Sequence, residues 1–208
     1  TGIDIDKFTP TLSQADAKVQ LGLDPSRPVV GWAARLAPQK GPMDFVEAAK
    51  QIIENVPDVQ IFMAGEGDLA DEVDARIDTY GLRDNLIRAP WQTDVPAMLS
   101  AFDVYILSSY WEGLPLSVLE AMAMQCASVA TSVDGTVEVI QDGENGYLVP
   151  AGDSAAMADR ITKLVTDPDH RTAIATAGRA RVESYFHVDR MVDEWQDLLE
   201  KAAARQLA

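Results

Sequence analysis

Short apolar runs alternate with amphipathic helical patterns from about residue 28 to residue 150, and this alternation restricts the possible folds more than any other feature. Strands separated by helices are joined by right-handed crossovers, which make a sheet parallel and cover both of its faces. The pattern therefore predicts an α/β fold with a doubly wound, Rossmann-like parallel sheet of about six strands. The apolar runs fall at residues 28–34, 59–64, 85–89, 103–109, 127–131 and 147–149.

Helices are predicted between and after these strands. Beyond residue 153 only helical periodicity remains, so the chain is expected to end in a helical tail, residues 154–208, of the same domain. A single domain over residues 1–208 is typical of a 208-residue chain that is 47% apolar and 24% charged. The predicted helices span residues 41–55, 68–80, 95–101, 115–124, 154–166, 169–184 and 188–205.

Composition argues against several partners and locations. A formal charge of −16 argues against nucleic acid as a direct partner, because phosphate contacts need clustered Lys and Arg. The single Cys126 excludes an internal disulfide and is typical of a reducing compartment, so a cytoplasmic location is expected. No apolar run reaches the roughly 18 residues of a transmembrane helix. The first ten residues contain neither a Met nor a signal-peptide pattern, so we expect a piece of something longer.

The loop after the first predicted strand carries two cations. Loops at the carboxyl ends of strands form the ligand crevice of doubly wound sheets. Arg35 and Lys40 bracket this loop, which ends at Gly41, where a helix begins. An Arg fork, a Lys point charge and a helix N-terminus all favour phosphate oxygens. Alone, the pair would be two solvated surface cations; beside the other loops it indicates a diphosphate site.

The loop after the fourth strand runs Glu112-Gly-Leu-Pro-Leu-Ser-Val-Leu-Glu120 and places one carboxylate before a helix and one inside it. Glu120 lies in an almost wholly apolar helix, where a carboxylate suits vicinal ribose hydroxyls. Glu112 could reach a sugar beside the backbone N–H groups of Gly113 and Leu114, or could only complement the helix dipole. Eight helical positions rotate the two carboxylates by about 80°, so separate roles are expected.

The segment Gly65-Glu-Gly-Asp-Leu-Ala70 matches the loose dinucleotide fingerprint G-x-G-x-x-A. It supports a competing class of function, a nicotinamide- or flavin-dependent oxidoreductase. However, the segment follows the second strand instead of the first, and no acidic residue ends a strand about twenty positions later. A structural turn between strand and helix is therefore the favoured interpretation.

The helical tail offers no predicted chemistry. His170 and His187 lie in polar surroundings and are interpreted as surface or capping residues. No His–carboxylate or Cys–His spacing predicts a metal site or a nucleophilic triad. The last helix has an apolar stripe, for which core packing is the first expectation and docking onto an absent partner domain the second. The stripe consists of Met191, Val192, Trp195, Leu198 and Leu199.

Segments spread along almost the whole chain together resemble the C-terminal, donor-binding domain of retaining GT-B glycosyltransferases, family 4, also called group 1. Gly31 to Gly41 resembles the family's Gly-x-x-x-Arg-Leu-x-x-x-Lys-Gly pattern, and Glu112 to Glu120 resembles its paired-glutamate motif. The other matching segments are Gly2 to Pro10, Gly65 to Gly67, Phe102 to Ser109, Asp134 to Glu138 and Asp142 to Val149.

The resemblance implies a site for a nucleotide-sugar donor, a UDP-, GDP- or ADP-sugar. Arg35 and Lys40 would hold its diphosphate and Glu112 the hydroxyls of the transferred sugar, and these three would form the catalytic group. Glu120 would hold the ribose, and Trp91 would border the nucleobase. The other residues implied to border the donor, or to position a loop beside it, are Gly65, Gly113, Leu114, Leu116 and Glu138.

The resemblance also implies hexosyl transfer with retention and with no metal or other cofactor. The acceptor site would lie on a missing N-terminal domain, which would also make any membrane contact, so the isolated chain would bind donor but transfer poorly or not at all. Gln125 and Ala127 depart from the family, which usually has Gly and Pro there. The alternatives are a non-catalytic nucleotide-binding module and the dinucleotide-dependent oxidoreductase.

Overall fold

The computed structural model describes residues 2–206, and within them six strands form one sheet in the order β3-β2-β1-β4-β5-β6. Every neighbouring pair is parallel, so each connection crosses over one face of the sheet. Order and direction confirm the predicted doubly wound α/β fold. The strands are β1 (Val29–Ala33), β2 (Gln60–Ala64), β3 (Leu86–Ala89), β4 (Val104–Leu107), β5 (Ala127–Thr131) and β6 (Tyr147–Val149).

Nine α-helices lie within residues 2–206, and the sequence pattern missed two of them. The first, α1 (Gln14–Gln20), begins after Ser13, whose hydroxyl oxygen accepts a hydrogen bond from the Asp16 N–H at 3.1 Å. The four-residue α6 (Thr136–Val139) is too short to show a helical period, and α1 lies before residue 28, where the alternating pattern begins. The other helices are α2 (Pro42–Asn55), α3 (Ala70–Thr79), α4 (Val95–Ser100), α5 (Leu116–Ala123), α7 (Ser154–Thr166), α8 (Pro168–Tyr185) and α9 (Val188–Gln206).

Helices cover both faces of the sheet and create two cores. Every residue of β1, β2, β4 and β5 is buried, which explains why these strands read as continuous apolar runs. Along β1, Val30 and Trp32 belong to one core, and Val29 and Ala33 belong to the other. Gly31 between them admits the Phe102 ring, which would lie 2.0 Å from a Cβ at that position.

The chain order reverses between β1 and β4, and this reversal positions the site. From β1 the sheet grows towards β3, and from β4 it grows towards β6, so the loops after β1 and β4 lead to opposite sides. Such a switch point leaves a crevice outside the carboxyl ends of the two strands. The loops at residues 34–41 and 108–115 therefore meet at this crevice.

The C-terminal helices pack in different ways. α7 packs on α2, and α8 packs on α5 and β5. α9 is tied down at its start, where the Val188 N–H donates to the Ile3 carbonyl at 2.9 Å. The expectation that its stripe packs into the core is wrong, because four stripe residues are exposed by more than half. These are Val192 (52%), Trp195 (58%), Leu198 (57%) and Leu199 (65%). None of the described helices is long and apolar enough to cross a membrane.

The turn after α5 contains one of the two departures from the family pattern. Gln125 has a φ of +60°, in the left-handed region. The Cys126 N–H donates to the Ala121 carbonyl at 2.9 Å, and the Gln125 N–H donates to the Met122 carbonyl at 3.0 Å. This pair of bonds is a Schellman motif, which favours Gly because a Cβ is strained at positive φ. Gln125 therefore carries strain that a Gly would not.

We expect Gln125→Gly to raise the free energy of unfolding by about 1 kcal/mol, because it relieves the left-handed backbone. Urea unfolding followed by circular dichroism measures the change. Gln125→Ala is the matched control, since it removes the same side chain but keeps a Cβ; its stability should stay within about 0.5 kcal/mol of the parent. An equal gain in the free energy of unfolding in both variants would show that the Gln125 side chain, and not its backbone conformation, destabilises the parent.

Candidate functional site

Two adjoining cavities open at the crevice, with volumes of about 390 and 240 Å³. Ala33, Trp91 and Ser117 wall both, so the two form one groove with a charged end and an apolar end. The larger, charged cavity is walled also by Ala34, Arg35, Lys40 and Glu66. The smaller, apolar cavity is walled also by Val95, Met98, Leu99, Tyr105 and Glu120.

The loop after β1 supplies the cations of the charged cavity. Arg35 is exposed and forms no ion pair with any carboxylate of residues 2–206, so its guanidinium is available to an anion. Lys40 is 21% exposed, and its Nζ donates to Glu112 Oε1 at 2.5 Å. The structure thus brings Arg35, Lys40 and Glu112 together. A diphosphate bound there could contact both the planar guanidinium of Arg35 and the ammonium group of Lys40.

Glu112 is held further by contacts within its own loop and with the loop after β5. Its Oε1 also accepts from Ser109 Oγ at 2.5 Å, and its backbone N–H donates to Asp134 Oδ2 at 3.3 Å. Because Glu112 lies in the loop before α5, the predicted 80° helical rotation between Glu112 and Glu120 is wrong. The two carboxylates are separated nevertheless: Glu120 walls the apolar cavity, whereas Glu112 contacts Lys40 at the charged one.

The backbone of Lys40 is fixed by β4. Gly41 has a φ of +56°, and a Cβ there would lie 2.2 Å from the Ser108 carbonyl oxygen. Ser108 Oγ donates to the Lys40 carbonyl at 2.8 Å and accepts from Trp32 Nε1 at 2.9 Å. Since Trp32 is fully buried, this chain of hydrogen bonds anchors the loop to the core. The Lys40 backbone is therefore anchored by contacts that do not involve its ammonium group.

The N-terminus of α5 adds backbone donors to the groove. Gly113, Leu114, Leu116 and Ser117 donate no backbone hydrogen bond to any group within the described part of the chain. Ser117 walls both cavities, so these donors border the groove. Unpaired N–H groups and the positive end of the helix dipole together favour an anion at this place.

Glu120 is the one carboxylate in the wall of the apolar cavity. Burial raises the pKa of Glu120 to about 6, and no hydrogen bond or opposite charge offsets this effect. A partly buried carboxylate with no protein donor is suited to accept hydrogen bonds from a pair of ligand hydroxyls. The apolar cavity thus has space for a flat, uncharged group with hydroxyls beside it.

We expect Glu120→Gln to raise the free energy of unfolding at pH 7.5, because it removes a charge that burial disfavours. The gain should be about 1 kcal/mol, since the carboxylate keeps part of its hydration. Below the ordinary pKa of 4.5 the carboxyl is neutral in the folded and unfolded states alike. Between pH 6 and 4.5 only the folded parent takes up the proton, so the parent gains stability and the advantage of Gln shrinks. Urea unfolding at pH 7.5 and pH 4.5 measures both differences. Equal advantages at the two pH values would contradict the assignment.

The glycine turn after β2 faces the protein's own backbone. Gly65 has a φ of +145°, and a Cβ there would lie 1.8 Å from the Ala34 carbonyl oxygen. Gly67 has a φ of +151°, and a Cβ there would lie 2.4 Å from the Leu36 carbonyl oxygen. The Leu36 N–H donates to the Glu66 carbonyl at 2.8 Å. Packing between the loops explains both glycines, and Gly65 walls neither cavity.

Of three other predicted site residues, two border the groove and one does not. Trp91 is 51% exposed and lies where the two cavities join. The Leu116 side chain is 45% exposed beside the α5 N-terminus. Glu138 walls neither cavity: it lies in α6 with an exposed side chain, and its carbonyl accepts from Arg181 Nη2 at 3.2 Å. Glu138, like Gly65, is therefore a predicted residue that the structure does not bring to the walls of the groove.

Sequence reasoning missed Ser109, Ser117 and Asp134 as site residues. Ser109 and Asp134 hold Glu112, and Ser117 joins the two cavities. The signal for Ser109 was a hydroxyl at the carboxyl end of an apolar run, and Asp134 likewise follows a buried strand. Ser117 gave no signal, because a Ser in the first turn of a helix is ordinary.

Residues 2–206 contain no group of three His, Cys, Asp or Glu residues that could hold a metal ion. The two histidines have partners elsewhere: His170 Nε2 lies 2.7 Å from the Tyr147 hydroxyl, and His187 lies beside Asp189. The metal-free site stays a prediction.

Comparisons with known proteins agree on one family. The sequence model of the family described as glycosyl transferases group 1 matches residues 13–181. A UDP-Gal:alpha-D-GlcNAc-diphosphoundecaprenol alpha-1,3-galactosyltransferase from Escherichia coli is 32% identical over 201 residues, which is 95% of this chain and 52% of that protein. The chain thus spans about half the length of the curated relatives it matches.

Solved structures show the same relation. HepE from Anabaena in complex with UDP and glucose superposes with a TM-score of 0.88 at 25% identity, over 96% of this chain and 55% of HepE. The C-terminal domain of LpcC, a glycosyl transferase group 1 family protein from Francisella tularensis, has a TM-score of 0.81 at 29% identity. That match covers 90% of this chain and all (100%) of the LpcC domain, which was crystallised as a separate domain.

Proposed function

The chain belongs to the glycosyl transferases group 1 family, and we propose that it is the half of such an enzyme that binds the nucleotide-sugar donor. One observation carries the proposal: a single groove joins two cations and a helix N-terminus to an apolar cavity with one carboxylate. A nucleotide sugar has the same order of chemistry, an anionic diphosphate followed by a ribose with vicinal hydroxyls and a flat base.

In the proposed complex the diphosphate lies between Arg35, Lys40 and the unpaired N–H groups of α5. The ribose hydroxyls donate to Glu120, and the base occupies the apolar cavity beside Trp91. The transferred sugar then extends from the diphosphate towards Glu112, whose side chain already touches Lys40. This placement uses both cavities and leaves no charge of the ligand without a partner.

Transfer breaks the bond between the anomeric carbon and the β-phosphate oxygen, and the electron pair goes to that oxygen. Arg35, Lys40 and the α5 N-terminus stabilise the charge that grows on the leaving diphosphate. The acceptor hydroxyl passes its proton to a phosphate oxygen, and its own oxygen bonds to the anomeric carbon on the same face. The anomeric configuration is therefore retained.

We propose further that the transferred group is a hexose and that the donor carries UDP, GDP or ADP. Support for a hexose comes from the E. coli relative, whose name specifies UDP-Gal, and from HepE, which was solved with UDP and glucose. Arg35 and Lys40 supply the positive charge that a metal ion supplies in other sites. We therefore propose a metal-free site, and nucleotide affinity should be unchanged by EDTA.

The acceptor site belongs to the part of the protein that this chain does not include. Support comes from the relatives, of which the chain covers about half. We propose an acceptor that is a sugar, a lipid or a polysaccharide, and any membrane contact through that other part. The cytoplasm is the proposed location, in keeping with Cys126, which lies buried as a free thiol. The isolated chain is expected to bind donor without turning it over.

The two alternatives have different support. An oxidoreductase needs a glycine turn that faces the dinucleotide, whereas Gly65 and Gly67 are close-packed against the carbonyls of Ala34 and Leu36. A non-catalytic binding module would use the same groove. Donor binding by a full-length protein that transfers no sugar would favour that module.

Isothermal titration calorimetry with UDP, GDP, ADP and NAD tests the proposal. We expect the chain to bind at least one nucleoside diphosphate and to bind NAD more weakly or not at all. Binding of NAD alone would overturn the proposal. The chain is suitable for this experiment because the matching LpcC domain was crystallised as a separate domain.

A further inference from the structure

We infer that Ser109 is a positioning residue, whose hydroxyl holds the Glu112 carboxylate in place for the transferred sugar. The inference rests on the proposed function, because it concerns the sugar end of the same donor site. It adds a determinant of sugar recognition that does not touch the donor itself.

The protein contacts the Glu112 carboxylate through one of its two oxygens. Ser109 is fully buried, and its Oγ donates to Glu112 Oε1 at 2.5 Å. Lys40 Nζ donates to the same oxygen at 2.5 Å. Glu112 Oε2 receives no hydrogen bond from any donor of residues 2–202. One oxygen of Glu112 is thus anchored twice, and the other is left for a ligand hydroxyl.

A bound diphosphate would compete with Glu112 for the Lys40 ammonium group. Lys40 walls the charged cavity, and its ammonium group is needed by the phosphate oxygens. If Lys40 turned towards them, the Glu112 side chain, which is only 9% exposed, would lose its cation. A buried carboxylate without a donor is strongly unfavourable, so it would rotate towards water. The Ser109 hydroxyl keeps a donor on Oε1 and prevents that rotation.

The backbone of Ser109 is itself held in place by buried hydroxyl groups. Thr131 Oγ1 donates to the Ser109 carbonyl at 2.5 Å, and Thr136 Oγ1 donates to the Thr131 carbonyl at 2.6 Å. Ser109, Thr131 and Thr136 are all fully buried. Buried hydroxyls of β5 and α6 therefore fix the backbone just after β4. The Ser109 hydroxyl, which starts from this fixed backbone, holds the Glu112 carboxylate in a defined position.

Isothermal titration calorimetry on Ser109→Ala tests the inference, with UDP and UDP-glucose as probes. If the parent binds GDP or ADP instead of UDP, the probes are that diphosphate and the corresponding GDP-glucose or ADP-glucose. A charge-assisted hydrogen bond is lost at the sugar end only. We therefore expect the affinity for the sugar nucleotide to fall about tenfold and that for the diphosphate to fall less than about twofold. Thr131→Val should change the same ratio in the same direction, by about threefold.

Ser128→Ala is the matched control. Ser128, in β5, is also fully buried, but its Oγ donates to the Cys126 carbonyl at 3.3 Å and does not contact Glu112. Both affinities should stay within about twofold of the parent in this variant.

If Ser109→Ala lost affinity for both ligands equally, or lost affinity for neither, the role of Ser109 would be overturned and the proposed function would stand. If Ser109→Ala does not fold, the same ratio measured in Thr131→Val decides. Failure of the parent to bind any nucleoside diphosphate would overturn the proposed function itself, and the role of Ser109 with it.

Discussion

The substitution Asp103→Ala should lower the free energy of unfolding by about 3–5 kcal/mol, because it leaves buried cations without their counter-charge. Asp103 Oδ2 accepts from Lys18 Nζ at 2.9 Å and from the Val29 N–H at 2.8 Å, and its Oδ1 lies 3.4 Å from Arg171 Nη2. The Lys18 and Asp103 side chains are only 5% and 9% exposed. Urea unfolding at neutral pH measures the loss.

Asp78→Ala is the matched control for Asp103→Ala. Asp78 also pairs with a cation, Arg83 Nε at 2.6 Å, but the two side chains are 62% and 44% exposed. Solvent screens such a pair, so its removal should cost at most about 1 kcal/mol. Similar losses in the two variants would show that burial does not govern the strength of these pairs. The Asp103 cluster would then not be what holds the amino ends of β1 and β4 together.

The second large effect concerns the donor. Arg35→Ala should weaken the binding of the nucleoside diphosphate by about 10- to 100-fold, since a charge-assisted, forked contact to phosphate is lost. The free energy of unfolding should hardly change, because Arg35 is exposed and forms no ion pair within the described residues. Calorimetry with the preferred diphosphate, beside urea unfolding of the same samples, measures the two quantities separately.

Two further variants sharpen the Arg35 experiment. Arg35→Lys keeps the charge but loses the planar fork, so its affinity should lie between those of the parent and Arg35→Ala. Arg83→Ala removes an exposed arginine on another face and should leave affinity within about twofold. An unchanged affinity in Arg35→Ala would place the diphosphate elsewhere and contradict the assignment of the charged cavity.

Much of the fold could be predicted because it depends on features that a sequence carries directly. Strands covered on both faces, such as β1 and β4, must be apolar throughout, and they appear as unbroken apolar runs. Once the sheet is parallel, the loops after those strands meet at one edge whatever their details. Arg35, Lys40 and Glu112 therefore came together as the sequence indicated.

Other features depend on information that the sequence does not carry locally. The α9 stripe has the same helical spacing whether its own core or another surface covers it, and Trp195 is in fact 58% exposed. Glu138 was expected beside the donor, but the short helix α6 directs its side chain to solvent. The 80° rotation between Glu112 and Glu120 treats the whole segment as helical, whereas α5 begins at Leu116 and Glu112 lies in the loop before it.

The bond between Ser109 and Glu112 illustrates the remaining gap. Ser109 ends an apolar run and looks like any residue at a strand end. Its role depends on a side-chain rotamer and on the position of Lys40, which belongs to the loop after β1. Residue types alone do not fix such contacts between distant loops.

A crystal structure of the chain grown with the nucleoside diphosphate that it binds best is the most direct test of the central claim. The account predicts the diphosphate between Arg35, Lys40 and the N-terminus of α5, with the ribose hydroxyls on Glu120 and the base beside Trp91. A diphosphate bound instead at the Gly65–Gly67 turn, with the groove empty, would contradict it.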